Sequence, residues 1–182
     1  MKKERTPSFV HEVALSVNAE EEQCLLVRMD MARMLYNACL GEALKRLGLV
    51  RQSKPLKAAV KLDRALKKER SAAFKEVNIL YGFTEYGLHK YAVACKNICA
   101  IGYHLDVHTV QKIATRVFDA VQMHAFGKRG KPRFKGIGQI ISVESKSNDS
   151  GIRFRTDNMR SRIEWSGLVL PIIWDMQDKH GV

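Results

Sequence analysis

FVHEVALSVNAEEEQCLLVRMDMARMLYNACLGEALKRLG, residues 9–48, changes its period partway along, and that change decides the fold class. Phe9, His11, Val13, Leu15 and Val17 alternate with the residues between them, which is the period of a strand with β-branched residues on one face. From Leu25 onward the spacing is different. Leu25, Leu26, Met29, Leu35, Cys39, Leu40, Ala43, Leu44 and Leu47 fall three and four apart, as the apolar stripe of a helix does. Asn18 stands at the switch with Glu21 three residues on, the pattern of a capping box. Glu20, Glu21 and Glu22 suit the positive end of a helix, and Gly48 is expected just past its C-terminus.

Further along, Ser53 is expected to cap a second helix with Pro55 in its first turn, carrying Leu56, Val60, Asp63 and Leu66. A solvated run, Lys67-Lys68-Glu69-Arg70, follows before Phe74 and Val77. Thr84 and Glu85 open a third helix with Leu88, Tyr91, Cys95 and Ile98, and Gly102 interrupts it. A fourth helix starts near Asp106, places Val110, Ile113, Ala114, Val117, Phe118 and Val121 on one stripe, and ends before Gly127. The character then changes. Residues 127–138 hold four glycines, one proline and five cations. Strand-like pieces follow at 140–144, 152–155, 162–165 and 168–173, with Gly151, Asn158 and Gly167 as turns. The layout is α+β: one strand, about four helices, then several strands.

The 182 residues carry 31 Lys and Arg against 19 Asp and Glu, a formal charge of +12. Such a balance favours polyanions. Nucleic acid fits it better than a membrane, because no apolar run approaches the ~20 residues that a spanning helix needs. The opening Met-Lys-Lys-Glu-Arg-Thr-Pro leads into no signal-peptide segment. A cytoplasmic location is expected, with Cys24, Cys39, Cys95 and Cys99 as reduced thiols.

The densest chemical signal is residues 126–136, FGKRGKPRFKG, with five cations in eleven residues and no acid. Lys128, Arg129, Lys131, Arg133 and Lys135 are the candidate phosphate contacts. Glycines permit close approach of the backbone, and Pro132 limits the entropy lost on binding. The ring of Phe134 is expected in the core, opposite the cations; stacking on a base is the alternative. Arg33 and Asn37, four apart on the first helix, share a face and suit phosphate or base edges. Equally, Asn37 could tie down a neighbouring loop while Tyr36 packs. Cys95, Cys99, His104 and His108 form a C-x3-C-x4-H-x3-H pattern. It departs from the knuckle-and-spacer spacing of zinc sites, and buried cysteine needs no metal, so neither a metal nor another cofactor is expected. Catalytic motifs such as the P-loop, G-x-S-x-G and H-E-x-x-H are missing from the sequence. Asp175 and Asp178 read as a solvated face.

The run 13–40, with Arg33-Met34-Leu35-Tyr36-Asn37 inside it, resembles the N-terminal opening of the OrfB/TnpB family of transposon-encoded RNA-guided nucleases, relatives of the type V CRISPR effectors. Residues 108–135, with Val117-Phe118-Asp119-Ala120 and Lys131-Pro132-Arg133-Phe134-Lys135, look like the helix and Pro-Arg-Phe-Lys turn of that family. The resemblance implies a wedge-like β-barrel made by the first strand (residues 1–18) and the C-terminal strands (residues 127–182). Residues 19–126 would be a recognition-lobe-like helical bundle inserted into it. It also implies a partner, guide RNA or the guide–target duplex. Cleavage in the family belongs to a RuvC-like domain beyond this region. The chain is therefore expected to be the binding module of such a transposase-associated protein and to lack nuclease activity, with a separately encoded nuclease domain as a possible partner. The alternatives are a DNA-binding regulator of helix-turn-helix type, one half of a split nuclease, and a decayed copy.

Overall fold

The computed structural model describes residues 10–140, 142–157 and 160–174. Phe9, the Asn158 turn, Asp175 and Asp178 lie outside them. In chain order the elements are β1 (Ala14–Leu15), α1 (Ala19–Gln52), α2 (Lys54–Lys61), α3 (Lys67–Leu80), α4 (Glu85–Ile98), α5 (Ile101–His104), α6 (Val107–Ala125), β2 (Ile152–Asp157), β3 (Arg160–Trp165) and β4 (Leu168–Ile173). The protein is α+β. In sequence, every described helix falls between β1 and β2.

The capping box at the start of α1 forms as expected. Glu21 N–H donates to Asn18 Oδ1 and Asn18 N–H to Glu21 Oε2, each at 2.9 Å. The far end differs from the expectation. α1 runs 34 residues, through Gly48, a length of about 51 Å at 1.5 Å per residue. A glycine inside a helix costs about 1 kcal/mol, but Leu47 and Val50 on either side of it are buried. Their burial, at roughly 1.5–3 kcal/mol for a whole apolar side chain, outweighs that cost. Ser53 ends the helix with extended backbone (φ −71°, ψ 143°), and its hydroxyl donates to Val50 O and accepts from Leu56 N–H. Pro55, in the first turn of α2, has no N–H to continue the ladder of α1.

The main core lies where α1, α4 and α6 meet. Leu35, Cys39, Leu40 and Ala43 of α1 face Val110, Val117 and Val121 of α6, with Leu88 and Ala92 of α4 alongside. Alanines 32, 92 and 114 are fully buried and let the helix backbones approach closely. Thr84 caps α4, and Asp106 caps α6 through His108 N–H and Thr109 N–H. α2 and α3 form a hairpin that packs chiefly on itself.

The sheet is antiparallel in the order β1-β4-β3-β2. Ser166 and Gly167, both at positive φ, make the two-residue turn between β3 and β4, the conformation that matches the twist of a hairpin. The barrel expected from the family resemblance is not present: the described strands form an open sheet with β1 and β2 at its edges. Three local facts explain this. Asn148 takes both hydrogen-bonding groups of Phe154 on the outer side of β2. Of the strand read from sequence at 140–144, the described residues 142–144 join no ladder; Arg116 holds them, its guanidinium donating to Ser142 O (3.0 Å). Among its described residues, the expected strand over residues 9–17 pairs as a ladder only at Ala14 and Leu15. Beyond that pair Ser16 N–H donates to Pro171 O (2.8 Å). The N–H that Pro171 lacks would have faced the same way, so the ladder stops.

The sheet is fastened to the helices by a buried cluster. Arg28 of α1 donates to the carbonyls of Trp165 (2.5 Å) and Ser166 (2.7 Å), and its guanidinium lies 4.9 Å from the Trp165 ring centroid. Trp165 Nε1–H donates to Asp106 Oδ2 at 3.1 Å. Trp165 and Ile140 belong to the same core cluster as the helices. Among the described residues no helix is long and apolar enough to cross a membrane.

Candidate nucleic-acid interface

The basic segment begins where α6 ends. Gly127, at φ +68°, donates to His124 O, and Lys128 N–H donates to Met123 O at 2.9 Å. This pair of bonds is a Schellman closure, and its left-handed residue is almost obligatorily glycine. The segment ends in a second turn, where Gln139 N–H returns to Gly136 O and Gly136 N–H donates to Gln139 Oε1. Gly138 supplies the positive φ there. Between the turns the backbone forms no strand or helix.

One side chain holds this stretch in place. Asn37 Nδ2 donates to Lys135 O at 2.9 Å, and Lys135 N–H donates to Asn37 Oδ1 at 2.8 Å. Of the two roles open to Asn37 from sequence, tying down a neighbouring loop is the one its amide performs here. Tyr36 beside it is buried. Arg33 is one turn earlier on the same helix, with its Nε on Asp30 at 2.7 Å. The hydrogen bond from Arg33 holds the Asp30 carboxyl below its ordinary pKa. Arg33 thus carries its own counter-charge.

The five cations of the segment differ from it. Lys128, Arg129, Lys131 and Arg133 are exposed, Lys135 is half-buried, and none makes an ion pair with a described residue. Several arginines elsewhere have partners. Arg46 meets Glu42, Arg116 meets Glu144 at 2.7 Å, and Arg153 and Arg162 both meet Glu164. Bonds from Arg116 and Lys112 hold the Glu144 carboxyl low. The segment is therefore a local excess of positive charge on a fixed backbone, suited to several phosphates at once.

Phe134 corrects the reading made from sequence. Its ring was expected in the core, but it is 58% exposed. Alternation buries one face only when a layer lies beneath it. This segment belongs to no sheet, and Asn37 fixes it by its backbone. Phe126, at 67% exposure, and Ile137 are also in water, so apolar surface is interleaved with the cations.

The pattern Cys95, Cys99, His104 and His108 is not drawn together: no group of three or more His, Cys, Asp or Glu residues stands as a metal set among the described residues. Cys39 is buried among the helices, and burial pushes its thiol up to about 12. Arg28 was not singled out from sequence, and Asp106 was read there only as the start of a helix, not as the acceptor for Trp165. Arg28 looks like an ordinary helix residue, and only the packing of the β3–β4 turn against α1 shows its role. No protein-family model matches the chain, and neither a curated protein nor a solved structure matches it.

Proposed function

We propose that this protein binds nucleic acid through the phosphate backbone, with residues 128–135 as the principal contact. In line with the family resemblance, we read it as the guide-RNA- or DNA-binding N-terminal module of a TnpB/OrfB-like RNA-guided nuclease whose cleavage belongs to another domain. The observation that carries the reading is the set of five cations without carboxylate partners among the described residues, on a segment fastened to α1 by Asn37. The total charge of +12 supports it, as do the exposed rings of Phe126 and Phe134, which could stack on unpaired bases.

The test is RNA affinity measured against salt. Each neutralised phosphate contributes a log–log slope of about −0.7 on a single strand and −0.9 on a duplex. The double variant Arg133→Ala/Lys135→Ala should bind more weakly and reduce the slope by up to about two contacts' worth. An affinity indifferent to salt, or a double variant that binds like the native chain, would sink the proposal. With magnesium present the purified chain should leave DNA and RNA uncut; cleavage that survives stringent purification would contradict the assignment of catalysis elsewhere.

A further inference from the structure

Beside the basic segment, the α2–α3 hairpin closes over the C-terminal ends of α1 and α6 and encloses a cleft of about 830 Å3. Pockets that hold small ligands run roughly from 300 to 1,000 Å3. Its apolar wall includes Leu47, Val50 and Leu56, and three rings, Phe74, Phe83 and Phe126, face it. Phe83 is buried and backed by Phe118, with ring centroids 5.4 Å apart, so that wall is firm. Two side-chain amides, Asn78 and Gln122, line the cleft and hydrogen-bond to no described residue.

The charge is one-sided. Arg51, Arg64, Lys67 and Arg70 line the cleft, and among the described residues no Asp or Glu does. None of the four makes an ion pair with a described residue, and Arg70 lies 5.6 Å from the centroid of the Phe74 ring. Lys67, Lys68 and Arg70 also occupy the first turn of α3, which has no side-chain cap. Glu69 in the same turn suits the positive end of the helix, and the three cations around it leave the turn net positive. A helix start of this kind accepts phosphate. An apolar cavity with aromatic walls, free amides and a phosphate-seeking rim matches one chemistry: a nucleobase together with its flanking phosphates. Continuity names the source. Phe126 lines the cleft and is two residues from Lys128, so a strand following the segment reaches the cleft at this ring.

The geometry points to a base-binding pocket: the cleft takes one unpaired base of the strand held along residues 128–135, stacked against Phe126 or Phe74, with Arg51, Arg64, Lys67 and Arg70 on the neighbouring phosphates. This inference rests on the proposed nucleic-acid function and deepens it. A base reaches the pocket only out of a duplex, so the site selects single strands.

The experiment compares a labelled purine-rich RNA strand with the same strand annealed to its complement, by fluorescence anisotropy. Phe126 is largely exposed, so Phe126→Ala should fold normally, and its melting temperature confirms that. It should weaken single-strand binding about tenfold, within the range for losing one base–aromatic stack, and leave duplex binding unchanged. Arg64→Ser/Lys67→Ser, at two exposed positions, should weaken the single strand more than the duplex. Equal losses on both forms would overturn the pocket. So would an unchanged Phe126→Ala alongside a weakened Arg133→Ala/Lys135→Ala, an outcome that leaves the broader function standing. If the native chain binds neither RNA, both readings fail. If Phe126→Ala spares RNA but abolishes binding of a Glu-rich amphipathic peptide, the cleft serves a protein partner and the inference is wrong.

Discussion

The α1–α4–α6 core and the segment 126–139 contain the same kinds of apolar residue and treat them in opposite ways. In the core, Leu35, Leu40, Val110, Val117 and Val121 are essentially removed from water. In the segment, Phe126, Phe134 and Ile137 stay in it. The core is held by many interchangeable contacts. The segment is held by a few directed bonds, of which the two from Asn37 are central. Hydrophobic burial therefore builds the scaffold, and hydrogen bonding to the backbone positions the charged, exposed surface on it. Apolar groups kept in water beside cations are available to a ligand, whereas those in the core are not.

This contrast can be broken most forcefully in the core. Leu40→Ala should cost about 2–5 kcal/mol, while Phe134→Ala should change stability by no more than about 0.5 kcal/mol. Urea melts of both variants check this, and similar losses would erase the distinction between the regions.

A smaller effect is expected where the sheet joins the helices. Asp106→Ala removes the cap of α6, worth about 0.5–2 kcal/mol, and the bond from Trp165. Burial alone would raise the Asp106 pKa, but the bonds from Thr109, Trp165 and His108 together hold it below the usual 3.8. A lowered carboxylate stabilises the fold above its unfolded pKa, and that contribution is lost as the pH falls through the folded value. The gap in melting temperature between native and variant chains should hold steady at neutral pH and narrow below about pH 4. A gap independent of pH would show that the carboxylate charge is not what matters.

Asn37→Ala sharpens the comparison further. Water can reach the freed groups of Lys135, so the global loss should stay near 1 kcal/mol. Amide exchange at Lys135 should nonetheless accelerate strongly, and RNA affinity should fall although no cation is removed. Unchanged exchange would mean that the segment is positioned by something other than Asn37. The mildest probe concerns the thiols. Maleimide should label exposed Cys99 in the native chain and reach Cys39, buried and with its pKa near 12, only on unfolding. Early labelling at Cys39 would reveal a looser core than the packing describes.

Much of this architecture was legible locally. The capping box at Asn18, the caps at Thr84 and Asp106, and the turns at Gly151 and Gly167 are set by residues within a few positions of one another, so they could be read as spacing. The cation-rich stretch was legible for the same reason. That Asn37 could tie down a loop was legible too, but not that the loop is this one, because Asn37 and Lys135 are 98 positions apart.

By itself, then, the amino-acid sequence determined the α+β class, the starts of α1, α2, α4 and α6, the β3–β4 hairpin and the place where positive charge accumulates, since periodicity, capping and charge density act over one or two turns. It did not foresee α3 from Lys67 or α5, and it read a strand at 140–144 where the described residues form none. Tertiary structure alone decided that α1 continues through Gly48, that β1 shrinks to two residues, that the sheet stays open and that Phe134 faces water. Each of these turns on a partner brought from elsewhere in the chain: a core for Leu47 and Val50, Pro171 beside Ser16, Asn148 on the edge of β2, Asn37 under Lys135. The four cations of the cleft come from α1, from α3 and from the turn before α3, and only the packed chain sets them around one cavity.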